Sequence, residues 1–278
     1  MNQIEKYNVV PTGVDFQANG LKNPNPGRLR GSLQEATFGL SVCVQTATLI
    51  LSIVALAQGG LPEVLMTVLV LETVVQGVEI AWYSTVGLLY FFGKYSISVS
   101  TRYFDWAVTT PLMLVSIMLF SIWDADKECA TSANVLSDGS RIAAVVCVIL
   151  ADWAMLGVGL SYEAKIERVT GMLDRMACGF NGLWLGFVPF IGAFIPLFVI
   201  GGQNVSKSGW SLVSVLITFV SWTLYGIVAL YVLDPEMRNT AYNLLDIVSK
   251  NAVGIIVSSV ALGNDFNATA ACNATGLG

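Results

Sequence analysis

The chain has no histidine in 278 residues. That excludes a His-ligated metal or haem, Ser-His-Asp or Cys-His catalysis, and any imidazole proton shuttle; no metal site is expected. Charge is nearly as scarce. Asp, Glu, Lys and Arg make up 12% of the chain, about half the ~25% of ordinary globular proteins. The charges cluster and leave long stretches with almost none, which excludes a soluble enzyme and a disordered protein. The net charge of −5 offers no basic patch, so nucleic acid is not a partner. Five cysteines are too few for a disulfide scaffold, and three of them (Cys43, Cys147, Cys178) lie in apolar stretches.

What is present is apolar surface, 55% of residues being hydrophobic. A bilayer-spanning helix needs about 20 mostly apolar residues. Seven segments qualify: 36–57, 62–91, 97–121, 140–161, 176–200, 209–233 and 239–262. Turn chemistry separates them: Gly59-Gly60-Leu61-Pro62, Gly93-Lys94, the polar run from Asp124 to Gly139, Gly201-Gly202-Gln203-Asn204, and Asp234-Pro235-Glu236. In hydrocarbon each backbone group must bond within its own segment, so the spans are read as helices. The alternation of a membrane β-barrel is absent. The expected fold is all-α, a seven-transmembrane-helix bundle over 36–262 with its termini on opposite sides. Residues 1–35 form a polar N-terminal tail that lacks a signal-peptide core and ends in a short surface helix; 263–278 form a polar C-terminal tail.

The informative residues are ionisable groups inside the spans, because each is costly there. They are Glu72 and Glu79 in the second, Asp105 in the third, Asp152 in the fourth, and Asp246 and Lys250 in the seventh. Arg102 sits one turn before Asp105. Asp246 and Lys250 are spaced i, i+4 and share a helix face. An isolated ammonium at mid-bilayer is disfavoured by desolvation, and Asp246 with Asp105 can hold a cation there. On residues alone, two readings stand: a structural ion pair stapling the third and seventh helices, or a functional site.

Two runs decide between them. Arg102-Tyr103-Phe104-Asp105-Trp106-Ala107-Val108-Thr109-Thr110-Pro111-Leu112 and Leu245-Asp246-Ile247-Val248-Ser249-Lys250 resemble the third- and seventh-helix signatures of the microbial (type 1) rhodopsins. Asp152-Trp153-Ala154-Met155 with Gly157 and Gly159, and Trp222-Thr223-Leu224-Tyr225, are similar to that family's fourth- and sixth-helix fragments. The resemblance covers all seven spans and neither tail. It implies all-trans-retinal bound covalently as a Schiff base on Lys250, with Asp105 and Asp246 as counter-ions. It further implies that Trp106 and Trp222 sandwich the polyene, that Tyr225 stands beside Asp246, and that Ser249 neighbours the Schiff base. Gly159 is expected to leave room at the ring end, Met113 and Met155 to fill gaps, and Asp152 to hydrogen-bond Thr110 across two helices. Thr109 is expected to hydrogen-bond the Asp105 carboxylate, and Arg102 to keep that carboxylate ionised. Two positions depart from the pattern: Gly226 stands where the family usually has Pro, and Ala229 where it has an aromatic. The fifth span aligns poorly, and Trp184, Gly186 and Phe190 are its candidate pocket residues.

The triplet Asp105, Thr109 and Ser116 resembles the DTS pattern of light-driven proton pumps. Ser116 stands 11 residues after Asp105, about 16 Å along the helix. A hydroxyl there cannot hold a spare proton, so another group must reprotonate the Schiff base. Glu72 and Glu79 lie two turns apart on one face, about 10.5 Å. In an antiparallel second helix Glu79 reaches the level of the lysine and Glu72 the Ser116 end, which makes Glu72 the candidate donor. The expected function is a light-driven proton pump moving protons from the Ser116 end to the Arg102 end.

A rival uses the same residues. Glu72, Glu79 and Ser249-Lys250-Asn251 resemble the light-gated cation channels, with Glu79 and Asn251 as gate. A sensory photoreceptor is the third alternative. The mixture is similar to viral rhodopsins. An enzyme is not expected, since no catalytic domain follows the bundle; a chloride pump is not expected either, because Asp105 occupies the anion's place. The resemblance implies an N-terminus outside, in the plasma membrane, and a homo-oligomer in the lipid bilayer. The charge count points the other way. Lys6, Lys22, Arg28, Arg30, Lys94, Arg102, Lys165, Arg168, Arg175 and Arg238 fall on the N-terminal side, against Lys127, Arg141 and Lys207 opposite. The sequons at Asn204, Asn267 and Asn273, with Cys129 and Cys272, lie on that opposite side. Asp234 and Glu236 are the candidate release-side carboxyls, and absorption is expected in the blue-green to green.

Overall fold

The computed structural model describes residues 33–92, 99–125, 138–166, 172–202, 209–231 and 234–263. Both polar tails beyond these bounds, the three sequons, Cys129 and Cys272 lie outside the described residues. The described chain is seven α-helices and one 3₁₀ turn: α1 Leu33–Ala57, α2 Glu63–Phe91, the turn Val99–Thr101, α3 Arg102–Ala125, α4 Gly139–Ile166, α5 Met172–Gly202, α6 Trp210–Tyr231 and α7 Pro235–Gly263. Among the described residues, six helices are long and apolar enough to cross a membrane, and α5 carries a shorter apolar run, Leu185–Gly201.

Each helix packs on its sequence neighbours, and α7 returns to α1 and closes the ring. α3 is the central element and touches α2, α4, α5, α6 and α7. Lipid sets an inverted polarity. The buried stripe of α1 is Thr37, Ser41, Gln45, Thr48, Ser52 and Ala55, three or four residues apart, while Leu40, Ile50, Ile53 and Val54 face outward. This is an amphipathic helix whose polar face is the inner one. Its hydroxyls tie it down: Ser41 donates to the Asn243 carbonyl at 3.2 Å, and Ser52 bonds Ser258 at 3.1 Å.

Pro111 lies inside α3. It has no N–H, so the Ala107 carbonyl one turn back loses its helical partner. The Trp153 indole of α4 donates to that carbonyl at 2.9 Å, as hydrocarbon requires. The helix starts carry their own caps. Asp138 accepts from the Ser140 amide at 2.9 Å and its hydroxyl at 2.6 Å, bonds that hold this exposed carboxyl below the usual range. Asp234 accepts from the Met237 amide at 2.8 Å. Gly59 and Gly60, at φ of +70° and +69°, make the reversal between α1 and α2, where only glycine enters without strain.

One expected boundary moves. Asp124, read as the first loop residue, is buried in the last turn of α3 and accepts from the Ser211 amide at the start of α6. The helix continues because this carboxylate serves as a neighbour's N-terminal partner.

At Gly254 α7 comes close to both α1 and α2. A Cβ there would stand 3.1 Å from Thr48 Cγ2 and 3.5 Å from both Gln76 Nε2 and Glu72 Oε2. Gly254→Leu is expected to lower the thermal-unfolding midpoint of the detergent-solubilised protein, equivalent to about 1–3 kcal/mol of overpacking. Gly77→Leu, whose Cβ meets nothing within 4 Å, is expected to leave the midpoint nearly unchanged.

Candidate functional site

Lys250 is 2% exposed and projects from α7 into a cluster of acids. Its Nζ donates to Asp105 Oδ2 at 3.0 Å and lies 3.5 Å from Asp246 Oδ1. The carboxylate of Glu79 also contacts it. Three helices thus each bring one carboxylate to a single ammonium, and Glu79 joins the two expected partners. Glu79 is itself fixed from α1, because Gln45 Nε2 donates to its Oε2 at 3.1 Å.

A second buried cation closes the site on the other side of Asp246. Arg102 Nη1 lies 2.9 Å from Asp246 Oδ2 and donates to the Tyr83 hydroxyl at 3.0 Å. Its Nε donates to Asn239 Oδ1 at 3.3 Å, and its Nη2 to Asn243 Oδ1. Tyr83 donates to Asp246 Oδ2 at 2.6 Å, and Tyr225 to Oδ1 at 2.5 Å. Asp246 is therefore the most heavily hydrogen-bonded acid of the three, while Asp105 faces Lys250 with fewer partners. Two cations confront three carboxyls, a set that reaches neutrality by holding one further proton.

Further buried polar groups flank this cluster on α2, α3 and α4. Ser116 donates to Glu72 Oε1 at 2.5 Å, so the α2 acid and the α3 hydroxyl form one buried unit. Gln76, one turn from Glu72, donates to the Lys250 carbonyl at 3.2 Å. Thr110 Oγ1 lies 2.7 Å from both Asp152 Oδ2 and the Trp106 carbonyl, and its one hydrogen serves them in turn. Thr109 differs from expectation. It donates to the backbone carbonyl of Asp105 at 3.1 Å rather than to the carboxylate, because a helical threonine readily bonds the carbonyl one turn back.

An apolar cavity adjoins Lys250 and runs across the bundle to Gly159 on α4 and Phe187 on α5. Trp106, Trp222, Tyr225, Met155, Thr110 and Ser249 line it as expected. Met113 and Asp152 do not: Met113 is wholly buried elsewhere in the core, and Asp152 reaches the wall only through Thr110. Met113 follows Trp106 and Thr110 at helical spacing, and Asp152 precedes Met155 and Gly159 likewise, so each shares the face of its lining neighbours but stands one turn beyond the wall. Gly159 borders the cavity, yet a Cβ on it would lie 2.8 Å from the Tyr103 hydroxyl. Its missing side chain thus admits Tyr103 as well as leaving room. Gly226 and Ala229 also form wall, as do Gly186 and Phe190 of α5; the side chain of Trp184 lies outside the described residues. A slot with aromatic walls that ends on a buried amine suits a long apolar molecule with one reactive end.

Sequence reasoning missed Tyr83, Asn243, Glu163 and Arg238. Tyr83 continues the 72, 76, 79 stripe of α2 by one turn, and that spacing was the available signal. Arg238 was counted as a loop charge. It is 2% exposed and pairs with the fully buried Glu163 at 3.0 Å. Arg102 is likewise buried, so two of the ten cations on the N-terminal side do not bear on topology. Asp234 and Glu236, the expected release-side carboxyls, are exposed at the start of α7.

Known proteins place this geometry. Among solved structures, the viral rhodopsin OLPVRII superposes with a TM-score of 0.65 at 23% identity, over 84% of this chain and 99% of that one. The thermophilic rhodopsin of Rubrobacter xylanophilus gives 0.62 at 17%, over 85% and 98%. The proton-pumping rhodopsin AR2 of the alga Acetabularia acetabulum gives 0.60 at 15%, over 84% and 95%. At these identities the likeness is one of fold. No curated protein sequence matches the chain. The sequence pattern described as bacteriorhodopsin-like protein matches residues 32–264, all seven helices and the site between them, and the chain belongs to that family of microbial rhodopsins.

Proposed function

We propose that the protein is a light-driven proton pump that carries retinal on Lys250 and moves protons from the Ser116 end to the Arg102 end. The observation that supports it best is an acid on each side of the lysine: Asp105 at 3.0 Å, and Glu72 bonded to Ser116. Retinal, held by Lys250 and the walls of Trp106, Trp222 and Tyr225, would supply a light-absorbing polyene. The cavity's apolar walls and terminal amine suit that molecule.

The roles of the residues follow from position. Asp105 takes the proton of the Lys250 nitrogen, being the adjacent acid with fewer competing donors. Asp246 stays bound by Arg102, Tyr83 and Tyr225, so its charge is fixed and steers the transfer. Thr109 braces the α3 backbone at Asp105. Glu72, buried and touching Ser116, returns a proton to the lysine from the opposite side. Glu79 and Gln45 close the α1–α2 side against leakage. In the family orientation the N-terminus is outside, the protein sits in the plasma membrane as a homo-oligomer, and transport runs outward.

A second reading has one specific observation in its favour. The amide of Asn251, the residue after Lys250, is buried and has no protein hydrogen-bond partner among the described residues, which leaves it free to bond a passing ion or its water. With Glu79 and Gln45 it supports a light-gated cation channel along α1, α2 and α7.

Lys250→Ala given all-trans-retinal is expected to remain colourless, while the wild type becomes a visible pigment; a stable coloured adduct in the variant removes the attachment site. Under voltage clamp at zero driving force the wild type is expected to give a photocurrent, whose sign reports direction. Absence of current there, with reversal along an imposed gradient, establishes the channel instead. Glu72→Gln is expected to slow reprotonation by about 100-fold or more, the scale of losing a positioned acid, with recovery on added azide. An unchanged photocycle transfers the donor role elsewhere.

A further inference from the structure

One fully buried carboxyl has no part in the proton path described so far. Glu163 lies near the end of α4 at 0% exposure, on the Arg102 side of the bundle. Its Oε2 is 3.0 Å from Nη1 of Arg238, itself 2% exposed, and its Oε1 accepts from the Tyr242 hydroxyl at 3.3 Å. Tyr103 of α3 is within electrostatic reach of Glu163, of Arg238 and of Tyr162, the residue before Glu163 on α4. The nearest part of the pump machinery is close. The Tyr242 ring stacks on Tyr225 at 5.4 Å and 26°, and both rings meet Trp106 edge-on, at 5.6 and 5.2 Å. Tyr225 is the residue that donates to Asp246. Two stacked tyrosines therefore each hold one carboxylate, Asp246 at the lysine and Glu163 nearer the surface. Arg238 lies one helical turn from the exposed Asp234 and donates its backbone amide to that residue's carbonyl at 2.9 Å.

We infer that Glu163, held by Arg238 and Tyr242, is the carboxyl through which the transported proton leaves on the Arg102 side. This rests on the pump reading above. The step balances: protonated Asp105 gives up its proton, the Glu163 carboxylate takes it and becomes neutral, and water at the Asp234 surface then removes it. The carboxylate returns to its ion pair with Arg238. Arg238 keeps Glu163 charged between turnovers, ready to accept. A movement of Tyr225 with Asp246 passes to Tyr242 through the stacked rings and so alters the hydrogen bond on Glu163. The alternative role for such a pair is structural, a tie between α4 and α7, and the two roles separate by timing.

The test uses the full-length pigment in sealed vesicles, with a pH indicator dye on the Arg102 side. In Glu163→Gln, loss of the proton from the Lys250 nitrogen is expected to keep its wild-type rate. Appearance of the proton at the dye is expected to lag tenfold or more. Glu163→Gln with Arg238→Gln removes both charges, leaves no lone buried cation, and is expected to show the same lag. In Glu163→Asp, which keeps a partner for Arg238, a light-induced carboxyl infrared band is expected to shift from its wild-type position. Unchanged dye timing in the pigmented glutamine variants, or an unshifted band in the aspartate variant, overturns the inference and leaves a structural tie. A wild type that gives no dye signal overturns the pump reading, and this inference with it.

Discussion

The molecule is organised around an ammonium that hydrocarbon would not tolerate alone. Lys250 is buried at mid-bundle, and α2, α3 and α7 each bring a carboxylate to it. A charge taken out of water is stable only when paired and hydrogen-bonded on its remaining faces. That condition propagates outward. Asp246 recruits Arg102, which is permanently charged and must find partners of its own, here Tyr83, Asn239 and Asn243. Asn243 then donates to Thr37 of α1 at 3.0 Å. Five helices, counting Tyr225 of α6, are held in register by the demands of two cations.

This explains why the inner face of α1 is polar although α1 contributes nothing to the wall of the cavity beside Lys250. Gln45 orients Glu79, Thr37 and Ser41 meet Asn243, and Ser52 meets Ser258. Small polar residues let the backbones approach closely while satisfying one another. Lipid tails are as apolar as leucine, so greasy faces alone do not choose between helix neighbours. The hydrogen bonds and the fit at Gly254 do, and they place Glu72 against Ser116 as a consequence.

The spans and the main acids were legible in the sequence because an ionisable residue within an apolar stretch has few innocent explanations. Lys250, Asp105 and Asp246 stood out on that ground, and the seven-residue spacing of Glu72 and Glu79 placed them at the two levels where they are found. Glu163 and Arg238 were not legible for the opposite reason. They sit in charge-rich ends of spans, where a solvated side chain is the ordinary outcome, and only tertiary packing buries them together. Asp124 was hidden by the same logic. The bond of Thr109 to a carbonyl depends on its rotamer, and the exclusion of Met113 depends on how far along α3 the cavity extends, neither of which residue spacing along one helix resolves.

The two ends of the bundle differ in a way that bears on direction. Toward the Ser116 end the interior is packed with Leu114, Ile117, Phe120, Trp123, Leu197 and Val257, with Glu72 bonded to Ser116 among them and Asp124 buried at the end of α3. Toward the Arg102 end the interior holds two arginines, Glu163 and the tyrosines at 83, 103, 162 and 242. Electrostatic terms act strongly in the dry half and are shared among many partners in the polar half. A proton leaving Lys250 therefore meets an adjacent acid backed by fixed charges on one side. On the other it meets Glu72 behind apolar packing, whose opening must precede any exchange with water. Under the proposed pump reading, that difference in lining favours exit by the polar half and slower refilling through the dry half.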